Sequence, residues 1–135
     1  MKTKKSLIIG VVGVALGLTA GLGGVALAGT PESTARTPYA QAAAVVKADA
    51  TVVRAKGVVR VDRVDAGRYC VTIADNINWA LSVPQATLGP GAKWNGEIRV
   101  ASGTSGVCGN DPHKLGVYTG VSGAYADQPF NVIIP

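Results

Sequence analysis

Two cysteines and one histidine are the residues of this chain best suited to chemistry. Cys70 and Cys108 could form a disulfide, act as reactive thiols or bind a metal, and the single histidine, His113, lies five residues after Cys108. A reactive thiol needs a basic partner that lowers its pKa, and no third group near Cys108 and His113 would orient that partner. Two cysteines and one histidine also fall short of the four ligands of a closed zinc site. In a chain exported by the leader described below, two cysteines predict one disulfide, with no metal site and no cofactor.

The acidic residues form no recognisable catalytic set in the sequence. General acid–base catalysis needs two carboxylates, or a histidine, held at matched pKa values. Most of the eight acidic residues lie at turns, as Asp49, Asp65 and Asp127 do, and Asp111 precedes a proline. The chain has no G-x-S-x-G motif, no glycine-rich phosphate loop and no zinc signature. We predict a non-catalytic protein without catalytic residues, with a small hydrolase built around His113 as the less favoured alternative.

Two aromatic residues lie in predicted loops and are the candidate ligand contacts. Trp94 occurs in the segment GPGAKWNGE and Tyr125 in SGAYADQP. Exposed aromatic side chains on loops stack on sugar rings or anchor protein contacts. The alternative for Trp94, which we favour from the sequence, is that it folds back and caps one end of the core. Trp79 opens a predicted strand, where packing at the core or at a sheet edge is expected.

The first 28 residues have the organisation of a signal peptide. Lys2, Lys4 and Lys5 precede an uncharged apolar run from Leu7 to Leu22, and Ala26-Leu27-Ala28 matches the small-x-small pattern of a cleavage site. A retained membrane anchor is the alternative, because the run is just long enough to span a bilayer. The cleavage pattern favours removal of the leader, so we predict a secreted protein that is not membrane-bound after cleavage.

The remainder of the chain is predicted to contain a single domain. Residues 29–38 are polar and include Pro31, which predicts a flexible lead-in, and residues 39–135 have the size of one β domain. Without the three leader lysines, ten basic residues face eight acidic ones. That excess is too small and too dispersed to predict nucleic-acid binding.

The domain is a succession of short runs rich in Val, Thr, Ile and Tyr, separated by turn residues. This spacing predicts an all-β fold, a small antiparallel sandwich or barrel of about eight short strands with one disulfide. Asp49-Ala50 and residues 65–67 are the clearest turns, and residues 86–96 and 103–114 are predicted loops. The predicted strands are residues 44–48, 51–56, 58–64, 68–73, 79–83, 97–102, 115–120 and 130–135.

Alternation along the strand R-Y-C-V-T-I predicts where Cys70 points. Successive strand side chains face opposite sides of a sheet. Tyr69, Val71 and Ile73 form the apolar side, so Cys70 lies on the other side. We therefore expect the disulfide to hold the Cys108 loop over the outer face of its sheet.

Several segments together resemble a known group of proteins. They are G-V-x-x-V-x-R from Gly57, G-x-Y-x-V-x-I from Gly67, A-T-x-G from Ala86 and S-G-A-x-A-D-x-P-F from Ser122. As a set they are similar to small secreted actinobacterial β-domain proteins of unknown function, over nearly the whole predicted mature chain. The resemblance implies no catalytic residue, and similar segments at the ends of fibre-like and tail-like proteins suggest a structural or adhesive module.

These observations predict a secreted, non-catalytic β module that binds a cell-wall glycan or another secreted protein. Trp94 and Tyr125 would be the contacts for a glycan. A self-assembling surface protein would use the valine-rich hairpin at residues 44–55 instead, and a secreted protease inhibitor would use the loop that carries Cys108. The sequence leaves the ligand and the oligomeric state open.

Overall fold

The computed structural model describes residues 39–101 and 106–135. The predicted signal peptide and the lead-in at 29–38 lie outside these residues. In the described part of the chain there are nine strands, one short 3₁₀ turn and no α-helix. The strands are β1 (Ala42–Val46), β2 (Val52–Lys56), β3 (Val58–Asp65), β4 (Arg68–Ile73), β5 (Gln85–Leu88), β6 (Gly96–Ala101), β7 (Lys114–Val121), β8 (Ala124–Tyr125) and β9 (Phe130–Ile134).

The strands form two antiparallel sheets, as the all-β prediction requires. The four-stranded sheet has the order β2-β1-β9-β5, and the five-stranded sheet has the order β3-β4-β7-β6 with β8 added beside β7. The first and last strands are neighbours, with Ala42 opposite Ile134. Strands β2 and β3 follow each other through Gly57, so one continuous segment forms an edge of each sheet.

Apolar side chains from both sheets form the core between them. Tyr69 and Phe130 are fully buried, and their rings lie 5.0 Å apart between centroids. Tyr69, Val71 and Ile73 all face this core, which confirms the predicted apolar side of β4. Burial of such side chains contributes about 1.5–3 kcal/mol each, and the fold needs them because a domain of this size has a small core.

The edge strands are interrupted by irregular pairing at three valines. The register shifts at Val53 in β2 and at Val59 and Val64 in β3, and each of these side chains is exposed. Such bulges twist an edge strand and interrupt its row of free backbone groups. The hairpin proposed for self-assembly is therefore present, but its outer strand is a poor template for adding another chain.

Two predicted elements were wrong. Residues 79–83 are not a strand: Trp79–Leu81 form a 3₁₀ turn, and Leu81 and Val83 are exposed. The second error is the loop predicted at residues 86–96, because its first three residues belong to strand β5, which pairs with β9. Trp79 is half-buried against the core, so its predicted packing is confirmed although its predicted strand is not.

Candidate ligand-binding groove

The outer face of the five-stranded sheet gathers aromatic and charged side chains around β7. Tyr118 in this central strand lies opposite Arg68 of β4 and Arg99 of β6. Two residues further along, Gly120 lies opposite Glu97 of β6 and Tyr125 of β8. Because directly paired residues share a face, these side chains all project on the side away from the core.

The two tyrosines and two arginines contact one another. The rings of Tyr118 and Tyr125 lie 6.1 Å apart between centroids and are tilted by 42°. The guanidinium carbon of Arg99 lies 4.8 Å from the Tyr118 ring centroid, and that of Arg68 lies 4.4 Å from the Tyr125 centroid. Nη2 of Arg99 also donates a hydrogen bond of 3.0 Å to the hydroxyl of Tyr125. Cation–π contacts at exposed sites contribute about 0.5–1 kcal/mol each, so this set is held in place before any ligand arrives.

A groove of about 450 Å³ opens between these side chains. Gly120 forms its floor, and Tyr118, Tyr125, Arg99 and Glu97 stand around it. A Cβ at Gly120 would approach the carbonyl oxygen of Ala124 to 2.7 Å, so only glycine fits beneath this hairpin. The volume lies in the range of small-ligand sites in proteins.

One wall of the groove is fixed by the turn between β7 and β8. Ser122 and Gly123 both have positive φ (51° and 81°), as a two-residue hairpin turn of type I′ requires. The N–H of Gly123 donates to Oε1 of Glu97 (3.0 Å), which turns this carboxylate toward the groove mouth. Nδ2 of Asn95 donates to Oγ of Ser122 (2.7 Å), so the loop before β6 is joined to the same turn.

Trp94 lies on this anchored loop and is fully exposed. The interpretation that Trp94 caps the core is therefore wrong, and its role as a ligand contact stays a prediction. The backbone N–H of Lys93 donates to the buried side chain of Gln128 (3.2 Å), and Asn95 is held by Ser122. Tethers on both sides fix the backbone at Trp94. The N–H of Gly96 donates to the carbonyl oxygen of Lys93 (2.9 Å), so Trp94 lies in a tight turn just before β6, and it is not among the residues that line the groove.

Tyr125 is half exposed and belongs to the groove directly. The loop after it is fixed by Asp127, whose Oδ1 accepts from the N–H of Gly67 (2.8 Å) and whose Oδ2 accepts from Nε of Arg63 (2.9 Å). Partial burial opposes the charge on Asp127, but these hydrogen bonds outweigh it, so the pKa of Asp127 lies below its ordinary value. Burial, and then the nearby charge of Asp127, raises the pKa of Tyr69 to about 12.

The disulfide lies at the other end of the same face. Cys70 and Cys108 are bonded, with Cα atoms 5.4 Å apart, which confirms the predicted pair. Cys70 shares the outer face with Gly116, opposite it on β7, as the alternation predicted. The adjacent N–H of Val107 donates to the hydroxyl of Tyr118 (2.9 Å). The loop therefore lies on the sheet and orients one of the two groove tyrosines.

His113, the residue around which a hydrolase could be built, contacts Asp111 through its backbone and not through its ring nitrogen Nδ1. The carboxylate of Asp111 accepts a hydrogen bond from the backbone N–H of His113 (2.9 Å), whereas the buried Nδ1 of the ring has no partner among residues 39–101 and 106–135. No group of three or more His, Cys, Asp or Glu residues in this part of the chain is placed to hold a metal ion. None of its helical segments is long and apolar enough to cross a membrane.

Of the two predicted ligand contacts, Tyr125 lines the groove and Trp94 does not, and sequence reasoning missed the groove residues Tyr118, Arg99, Glu97 and Gly120. A signal for them exists in the sequence. Gly116, Tyr118 and Gly120 alternate along β7, as Glu97 and Arg99 do along β6. An aromatic residue between glycines on the outer face of a central strand is a pattern that burial alone does not explain.

No protein-family model, no curated protein and no solved structure matches the chain.

Proposed function

We propose that this protein is an exported, non-catalytic β-sandwich that binds a carbohydrate outside the cell through the groove on its five-stranded sheet. The observation that carries the proposal is the pair Tyr118 and Tyr125 beside the bare floor at Gly120. The faces of sugar rings carry C–H groups that pack on aromatic rings, and their hydroxyls need hydrogen-bonding partners around the edge. Glu97 and Arg99 provide an acceptor and a donor at that edge.

Export is supported by two independent features. The leader pattern of residues 1–28 is typical of secretion. The Cys70–Cys108 disulfide is of the kind that forms and persists in oxidising compartments. A small domain outside the cell also gains most from such a cross-link.

The two other binding hypotheses have less support. Self-assembly through β2 is opposed by the bulges at Val53 and at the neighbouring Val59. A protease inhibitor presents a rigid protruding loop, but the described part of the Cys108 loop turns Val107 inward onto Tyr118. Glycan binding is the hypothesis supported by the contacts among Tyr118, Tyr125 and Arg99.

The test is co-sedimentation of the disulfide-bonded protein with peptidoglycan, chitin and cellulose. We expect pelleting with at least one polymer and a loss of at least tenfold in affinity for Tyr125→Ala, which corresponds to about 1.4 kcal/mol. Trp94→Ala should show a smaller loss, because Trp94 is exposed but is not among the residues that line the groove. Tyr39→Ala is the matched control, since Tyr39 is fully exposed and lies next to the other sheet. Equal losses in the Tyr39 and Tyr125 variants, or no pelleting with any polysaccharide, would refute the proposal.

A further inference from the structure

Arg99 is a fixed cation with unused hydrogen-bond donors. Its guanidinium donates to Tyr125 and lies over the ring of Tyr118. A guanidinium has five N–H donors, and among the residues that the structure describes one of these donors has an acceptor, the Tyr125 hydroxyl. Within residues 39–101 and 106–135 no carboxylate lies within ion-pair distance of Arg99. The nearby carboxylate of Glu97 instead accepts from a backbone N–H.

Other arginines on this sheet differ from Arg99 in this respect. Arg60 is paired with Asp62 at 2.9 Å and Arg63 with Asp127 at 2.9 Å. Arg68 is paired loosely, at 4.0 Å from Asp65. The arginine that lines the groove is thus the one that has no carboxylate of its own.

The residues that line the groove contribute one positive and one negative charge, Arg99 and Glu97, and a second arginine, Arg68, lies beside them over the Tyr125 ring. Arg68 and Arg99 flank the two tyrosine rings, and Glu97 is the one acidic side chain among the residues lining the groove. A planar guanidinium binds a carboxylate in a bidentate, charge-assisted manner, which is stronger than a neutral hydrogen bond. Tyrosine contacts also hold the Arg99 plane, so little side-chain entropy is lost when an anion binds.

We infer that the groove binds an acidic sugar, with the sugar ring on the tyrosines and its carboxylate on Arg99. This inference rests on the proposed carbohydrate-binding function and specifies the class of carbohydrate. Glu97 selects against densely charged polymers such as polyphosphate, because it would face a second negative charge at close range. A uronic acid polymer has one carboxylate on each ring and hydroxyls between them. Its carboxylate can accept hydrogen bonds from Arg99, and its hydroxyls can donate to Glu97.

The test compares two polymers that differ only at the carboxyl group, which is ionised in one and a neutral methyl ester in the other. Polygalacturonate and its fully methyl-esterified form have the same backbone, and affinity electrophoresis or calorimetry measures the binding of both. We expect the acid form to bind at least tenfold more tightly. In Arg99→Gln the preference for the acid form should disappear. Arg99→Lys should keep only part of this preference, because lysine retains the positive charge but lacks the planar guanidinium that binds a carboxylate with two hydrogen bonds. Arg54→Gln is the control for general electrostatics, since Arg54 is an exposed arginine on the other sheet.

Each outcome decides a separate point. Equal binding of the two polymers, an unchanged preference in Arg99→Gln, or an equal loss in Arg54→Gln overturns the assignment of an acidic ligand. Polyphosphate binding as tight as polygalacturonate binding also overturns it. In those cases the carbohydrate-binding proposal stands if the protein still pellets with a polysaccharide and Tyr125→Ala abolishes this. If no polysaccharide binds, both proposals fail together.

Discussion

The disulfide is expected to supply a large share of the stability of this small domain. Cys70 and Cys108 are 38 residues apart in sequence. The chain-entropy relation for a loop of this length gives about 4 kcal/mol at 25 °C, since the cross-link restricts the unfolded chain. The total stability of a typical domain is about 5–15 kcal/mol, so removal of the bond leaves a marginal fold.

The perturbation is the double substitution Cys70→Ala and Cys108→Ala. A smaller loss, of about 1 kcal/mol, is added if the freed loop gives up the bond between Val107 and Tyr118. For a domain near 100 residues each kcal/mol lowers Tm by about 4–8 °C, so we expect a fall of about 15–30 °C. The reduced wild-type protein should behave like the double variant, which separates the effect of the bond from that of the alanines.

The assay is guanidinium unfolding followed by tryptophan fluorescence. Trp79 is half-buried against the core and reports unfolding, whereas the exposed Trp94 does not. A Trp94→Phe background therefore gives a single clean probe. A loss of less than about 1 kcal/mol in both the double variant and the reduced protein would refute the reasoning, because it would mean that the cross-link hardly restricts the unfolded chain.

Two further predictions concern Gly67 and Asp127, whose contact fixes the loop after Tyr125. Gly67→Ala should destabilise the domain by more than about 2 kcal/mol, since φ is +62° and a Cβ would overlap the carbonyl oxygen of Thr119. Gly91→Ala, with φ of +89° but open space around it, should lose only about 1 kcal/mol in the same guanidinium unfolding experiment, and equal losses would contradict the steric argument. Asp127→Asn should lose about 1–3 kcal/mol at pH 7, because the ionised carboxylate accepts charge-assisted bonds. The pKa of Asp127 is lowered from 3.8 in the folded protein, so the ionised carboxylate gives its full stabilisation above pH 3.8. This stabilisation is lost as the pH falls through the folded-state pKa. If the wild-type protein is more stable than Asp127→Asn by the same free energy at pH 2 as at pH 7, the explanation by charge is wrong.

The strands that could be predicted from the sequence are those whose alternation matches burial. In β4 the residues Tyr69, Val71 and Ile73 alternate with polar ones, and the period of two fixes both the element and its inner face. The strand predicted at residues 79–83 was wrong because this run is apolar without being buried. Leu81 and Val83 are exposed. Strand β5 could not be found, because its short sequence lies between Pro84 and a glycine and becomes a strand only by pairing with β9.

The groove is less predictable because it depends on register between distant strands. Tyr118 and Arg99 meet only when β6 and β7 pair with Arg99 opposite Tyr118, across a long connection. Tyr125 reaches them because β8 occupies the place beside β7 where β4 has ended. The sequence was enough to single out Tyr125 as an aromatic residue in a loop. That Arg99 lies beside it follows only from the pairing of the strands in the sheet.

The position of β9 has a consequence for how the chain folds. It lies between β1 and β5, and its residues, Phe130 among them, pair with a strand that begins at Ala42. Folding slows as the average sequence separation of contacting residues grows, because the loop must close before distant pairs gain energy. The four-stranded sheet therefore cannot close until the last residues of the domain are available. The strands of the five-stranded sheet all precede β9, so that sheet does not wait for the last strand, whereas the four-stranded sheet forms only when β9 reaches β1.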